Sequence, residues 1–83
     1  MIQIFTKQGC PYCAKVLEKA EELGIEIENI DAPPGSENRK KLVELGGKEQ
    51  VPFLYIPERE LRMYESDDIV VYLEEHFGKK SWW

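Results

Sequence analysis

The chain has 83 residues, of which 42% are hydrophobic and 33% charged, and its formal net charge is −5. That is the composition of one globular domain with a single core, of a size that buries only about 60% of its unfolded surface. Nucleic-acid binding needs a basic patch that releases counterions, and only Arg39-Lys40-Lys41 offers one. No apolar run approaches membrane-spanning length, which argues against a membrane role.

"MIQIFTK" opens directly on an alternating strand, without a basic segment and apolar run, so no signal peptide and a cytoplasmic location are expected. Ile2, Ile4 and Thr6 alternate with Gln3 and Phe5 in that first strand, which Gly9 breaks. Pro11 suits the first position of a helix that sets Cys13, Val16, Leu17 and Ala20 on one face. Gly24 is the expected left-handed cap, with Ile25 packing back on the helix. "IEIENI" alternates as a second strand, and "DAPPGS" reads as a loop. Ser36 is placed to cap a second helix running to about Leu45, stopped by Gly46-Gly47.

"FLYI" predicts a third strand, with Val51-Pro52 at its start because proline cannot donate to a ladder. "PERE" makes a turn and "LRMY" a fourth strand, paired as a hairpin. Ser66 is expected to cap a third helix, with Asp67 and Asp68 in its first turn, where the helix dipole favours negative charge. Ile69, Tyr72, Leu73 and Phe77 form its apolar stripe, and Gly78 ends it. The order is β-α-β-α-β-β-α over residues 1–83, an α/β domain with a four-stranded mixed sheet flanked by three helices. The first β-α-β should be parallel and right-handed, and the last two strands antiparallel.

The chemistry sits in "KQGCPYC", which holds both cysteines of the chain. A disulfide between Cys10 and Cys13 closes almost no loop, so it would constrain the unfolded chain very little. Zinc takes about four ligands. Here Cys10, Cys13 and the single histidine, His76, leave such a site a ligand short unless two chains share it. A redox pair has a direct mechanism: at the start of the helix, unpaired N–H groups and the helix dipole stabilise a Cys10 thiolate. Lys7 adds positive charge three residues upstream. Cys13, one turn further in, is expected to be more buried, to keep a higher pKa, and to suit the resolving role.

Between a first strand and a helix, "CPYC" resembles the dithiol glutaredoxins, whose fold is thioredoxin-like; the resemblance extends over nearly the whole chain. Val51-Pro52 matches the family's Val-Pro, whose peptide bond is cis and faces the cysteines. The resemblance implies that the backbone of Val51 pairs with the cysteinyl part of glutathione. It implies that Arg39, thirteen residues before Pro52, meets the glycine carboxylate, and that Ser66-Asp67 hold the γ-glutamyl end. Lys7 and Tyr12 stand at matching positions flanking the sulfur. On physical grounds alone, N–H groups of Ser66 and Asp67 at a helix start accept a carboxylate, and the Asp67 side chain takes an ammonium.

Two departures stand out. Many glutaredoxins carry Thr where this chain has Gln50, and a Gly-Gly pair where it reads "MYES". Glu65-Ser66 instead resembles the acidic-residue-plus-serine pair of the amino-terminal domain of glutathione transferases, which serves the same end of glutathione.

The resemblance implies a glutathione-dependent thiol–disulfide oxidoreductase, acting on protein disulfides and glutathione mixed disulfides, with Cys10 as nucleophile and Cys13 as resolving thiol. Glutathione is then the co-substrate, no cofactor or metal is tightly bound, and the partners of a monomeric chain are disulfide-containing or glutathionylated proteins. Alternatives are a redoxin reduced by a thioredoxin reductase, a dimer ligating an iron–sulfur cluster with glutathione, and a non-catalytic transferase-like fragment. Pro11, where cluster-binding members tend to have Gly, argues against the second, and Cys13 against the third. Lys7 and Arg39 also read as solvated surface charges, and Trp82-Trp83 as a frayed end or a ring tucked against the last helix.

Overall fold

Alternation in the first strand decides the architecture. In β1 (Ile2–Thr6), Ile4 and Phe5 are both fully buried, yet they point to opposite faces of the sheet and enter different apolar clusters. Phe53 and Leu54 of β3 (Phe53–Ile56) repeat the division. The expected single core is therefore two, separated by the sheet. On one face Ile4, Leu54 and Ile56 pack with Val16 and Ala20 of α1 (Pro11–Leu23) and Ile69 and Leu73 of α3 (Ser66–Phe77). On the other, Phe5 and Phe53 pack with Ala32 and with Leu42 of α2 (Glu37–Gly46). Full burial of each large apolar side chain contributes about 1.5–3 kcal/mol.

This computed structural model describes residues 1–78, so Trp82-Trp83 lies outside the described residues. With β2 (Ile27–Asp31) and β4 (Leu61–Met63) the sheet order is β2-β1-β3-β4. β1 and β2 run parallel, while β1–β3 and β3–β4 are antiparallel. This is the thioredoxin-like arrangement, with the expected element order and a short 3₁₀ turn, Pro57–Arg59, within "PERE".

Three boundaries move, each for a local reason. β2 begins at Ile27 and not Ile25, because the Ile25 N–H is spent on the carbonyl of Ala20 at 3.0 Å in closing α1. Gly24, at φ 71°, donates to Glu21 in the same motif, so Ile25 folds back on the helix. β4 stops at Met63, one residue short of Tyr64, whose ring packs on Phe53. Ser66 is not the cap of α3: Glu65 holds that position in extended conformation, and its carbonyl accepts from Ile69 N–H at 2.8 Å. Ser66 and Asp67 thereby become the first two helical residues, whose N–H groups have no partner within the helix.

Register gathers the chemistry at one end of the sheet. Thr6, the last residue of β1, pairs with Asp31, the last of β2. Phe5 pairs with Phe53, the first residue of β3, and Leu54 with Met63, the last of β4. The segments leaving these ends are Lys7–Cys10, the Val51-Pro52 approach and the Glu65-Ser66 turn. Topology alone brings the three stretches together.

Candidate active site

Gly9, at φ 77°, turns the chain out of β1 and sets Cys10 at the N-cap of α1 with Pro11 behind it. In that position the Cys10 sulfur accepts the backbone N–H of Cys13 at 3.3 Å. Partial burial pushes the Cys10 thiol up, but the other contributions outweigh it. Hydrogen bonds from the Cys13 thiol and from the N–H groups of Cys13 and Tyr12, with the Lys7 charge, hold it below its ordinary 9.0. Cys13 is 2% exposed and stands at the opposite extreme. Burial, its hydrogen bond to Cys10 and the Cys10 charge push its thiol up to about 11. Two thiols one helical turn apart are thus shifted in opposite directions from the same ordinary value.

Two clefts lie around this helix start, one reaching it through Tyr12 and the other lined by both cysteines. One, of about 390 Å³, is lined by Tyr12, Gln50, Val51, Pro52, Glu65, Ser66 and Asp67. It brings together most of the residues that the sequence proposes. The Val51-Pro52 peptide bond is cis. Val51 lies beyond Phe53, where the β1–β3 pairing ends, so its backbone polar groups fall outside that ladder. Tyr12 stands 63% exposed at the rim. Gln50 donates its amide to Glu65 at 3.2 Å, closing the cleft from behind.

The second hollow, of about 340 Å³, is lined by Cys10 and Cys13 together with Lys7, Leu17 and, from β2, Asn29 and Asp31. Lys7 therefore flanks Cys10 on the face away from Val51 and Ser66.

Arg39 is placed elsewhere. It is 7% exposed, its Nε donates to the carbonyl of Ala32 at 2.8 Å, and Nη1 approaches Glu49 at 3.4 Å. It lines a separate concavity with Ser36, Lys40 and Glu49. Asp67 is engaged as well, in an exposed ion pair with Lys15 of α1. Sequence reasoning missed Lys15, because no local pattern links positions 52 apart in the chain. It also missed Asn29 and Asp31, which the parallel pairing of β2 with β1 brings into the lining of the hollow beside the cysteines. His76 stacks on Tyr72, with ring centroids 4.2 Å apart.

A C-x-x-C at the mouth of a helix, on this sheet, defines a thioredoxin-like domain. The chain matches the family described as glutathione S-transferase, N-terminal domain, over residues 4–81, and it belongs to that family. Among solved structures it is similar to a delta-class glutathione transferase of Nilaparvata lugens: TM-score 0.84, 23% identity, 96% of this chain and 38% of that one. A glutathione S-transferase of the Antarctic clam Laternula elliptica has TM-score 0.79 and 27% identity, over 92% of this chain and 35% of that one. Glutaredoxin 3 of Escherichia coli O6:H1 is 24% identical over 55 residues, 66% of either chain. The chain thus spans 66% of that curated relative and little more than a third of the transferases.

Proposed function

We propose that the chain is a glutathione-dependent thiol–disulfide oxidoreductase of the dithiol kind, with Cys10 as attacking and Cys13 as resolving thiol. The observation that carries this is the Cys13 N–H bonded to the Cys10 sulfur, with Cys10 held below 9.0 and Cys13 raised to about 11. The similarity to a protein named glutaredoxin 3 and membership of a glutathione transferase domain family support glutathione as the co-substrate. In this reading the ligand lies along the Tyr12–Val51–Ser66 cleft. Its γ-glutamyl carboxylate meets the helix-start N–H groups of Ser66 and Asp67. Its ammonium faces the carboxylates of Glu65 and Asp67, and its cysteinyl backbone pairs with Val51.

The chemistry needs no further group. Cys10 thiolate attacks the glutathione sulfur of a mixed disulfide, forming a Cys10–glutathione disulfide and expelling the protein thiolate, which takes a proton from water. A second glutathione thiolate attacks the bound glutathione sulfur, releasing glutathione disulfide and restoring the Cys10 thiolate. With a protein disulfide, Cys10 forms a mixed disulfide with one substrate sulfur, and Cys13 displaces that sulfur to give a Cys10–Cys13 disulfide. Two glutathione molecules then reduce it. Cys13 is suited to this order of events. Once Cys10 is bonded, its charge and its hydrogen bond no longer raise the Cys13 thiol, and only burial does.

The test is turnover of a glutathionylated peptide with glutathione as sole reductant, recycled by glutathione reductase. Absence of turnover there, with turnover supported by thioredoxin reductase, would replace this reading with that of a redoxin fed by the other system.

A further inference from the structure

The residue before the Glu65-Ser66 turn is where the chain departs from a Gly-Gly pair, and Tyr64 there makes an unusual set of contacts. Its hydroxyl donates to the carbonyl of Lys48 at 2.7 Å and accepts the N–H of the same residue at 2.9 Å. Both backbone groups of one loop residue are thereby satisfied by one side chain. The ring lies against Phe53 with centroids 4.6 Å apart, which fixes the hydroxyl from behind. Gly46 makes room for it: a Cβ there would collide with the Tyr64 hydroxyl, with Cζ at 2.7 Å and with Phe53 at 2.8 Å.

The clasped loop is the one that delivers Val51. Lys48 is tied to Tyr64, Glu49 to Arg39 and Gln50 to Glu65, so three consecutive residues are each held by a different partner. Two of those partners are Glu65, which lines the cleft with Ser66 and Asp67, and Tyr64, the residue immediately before it. The distance between the Val51 backbone and the Ser66 N–H is therefore set by Tyr64 and its neighbour.

We propose that Tyr64 is a positioning residue for the ligand cleft, locking the Lys48–Val51 loop to the Glu65-Ser66 turn through its hydroxyl, with Gly46 as the notch that admits its ring. This rests on reading the cleft as the glutathione site. Tyr64 touches neither sulfur and leaves the thiolate chemistry alone. Its hydroxyl acts on how well a two-ended ligand fits, since a ligand anchored at Val51 and Ser66 needs a fixed span.

Tyr64→Phe keeps the ring on Phe53 and removes both hydroxyl bonds. Hydrogen–deuterium exchange at the Lys48–Val51 amides should accelerate about tenfold relative to β1. The KM for glutathione should rise about fivefold to tenfold, on the loss of one or two hydrogen bonds' worth of order. The kcat and the pH midpoint of Cys10 alkylation should stay as in the parent chain. Unchanged exchange in Tyr64→Phe overturns the clasp. Faster exchange with an unchanged KM, in a parent chain that turns over glutathione, overturns the positioning role. A parent chain that does not use glutathione overturns the reading of the cleft and the positioning role with it, whatever the exchange data show.

Discussion

The backbone N–H of Cys13 points at the sulfur of Cys10 across 3.3 Å, and the turn of helix that makes this contact buries Cys13 while leaving Cys10 half-buried. One helix start therefore both lowers the first thiol and raises the second. Only the thiolate reacts with an alkylating agent, so a lowered pKa means more reactive Cys10 at neutral pH. The rate of Cys10 alkylation by iodoacetamide should climb to a plateau with a midpoint below 9.0. In a Cys10→Ser chain, alkylation of Cys13 should remain slow throughout that range. Equal rates for the two thiols at pH 7 would sink the division of labour.

The causes acting on Cys10 can be ranked by mutation. Among those that lower its pKa, the hydrogen bond from the Cys13 side chain is the largest and the Lys7 charge the smallest. Cys13→Ala should therefore move the Cys10 alkylation midpoint upward by more than Lys7→Met does. A larger shift for Lys7→Met would make the Lys7 charge, and not the hydrogen bond from the Cys13 thiol, the larger of the two causes.

Activity should separate the cysteines in the same way. Cys10→Ser removes the group that forms the first bond and should abolish turnover of every substrate. Cys13→Ser should retain reduction of a glutathionylated peptide, where a second glutathione resolves the intermediate, and lose reduction of protein disulfides. Equal loss in both variants with the glutathionylated peptide would show that Cys13 is required before resolution.

Local signals carried the fold a long way. Pro11 and Gly24 bracket α1, "FLYI" is β3 to the residue, and Cys10 stands at the helix start with Cys13 buried one turn further in, as their spacing implies. What the sequence concealed depends on which of several available partners a group meets. Ser66 looks like a cap by composition, yet the choice between it and Glu65 is made by which carbonyl Ile69 reaches. The charge of Arg39 suggests solvent or a ligand. Its burial follows from α2 packing over Ala32, which pairs back to Thr6 through a 2.7 Å hydrogen bond. Tyr64 was visible only as a departure from a glycine pair, because its notch lies in another helix.

Arg39 yields a stability prediction. Its Nε serves the carbonyl of Ala32, a fully buried residue. Arg39→Met removes that donor and should cost about 1–3 kcal/mol, the penalty for a buried acceptor left alone. Urea unfolding should show a lower midpoint at unchanged slope. An unchanged midpoint with a raised KM for glutathione would return Arg39 to the carboxylate-binding role that the glutaredoxin resemblance implies.

In the proposed glutathione site Glu65 and Asp67 compete for one task, the ligand's ammonium, and their surroundings differ. Asp67 is paired with Lys15, both side chains being at least half exposed, so the pair contributes at most about 1 kcal/mol to stability. It nonetheless places a lysine where an incoming ammonium would have to go. Among the described residues Glu65 accepts a neutral amide, from Gln50, at one of its two oxygens, and that contact does not offset its charge. Glu65→Gln should therefore raise the KM for glutathione by about tenfold, on the scale of one lost charge-assisted hydrogen bond, and by more than Asp67→Asn does. Lys15→Met should partly restore the claim of Asp67, making Asp67→Asn costlier in that background than in the parent. If Asp67→Asn proves the more damaging in the parent chain, the Lys15 pair gives way on binding and the ligand is held as in the glutaredoxin pattern.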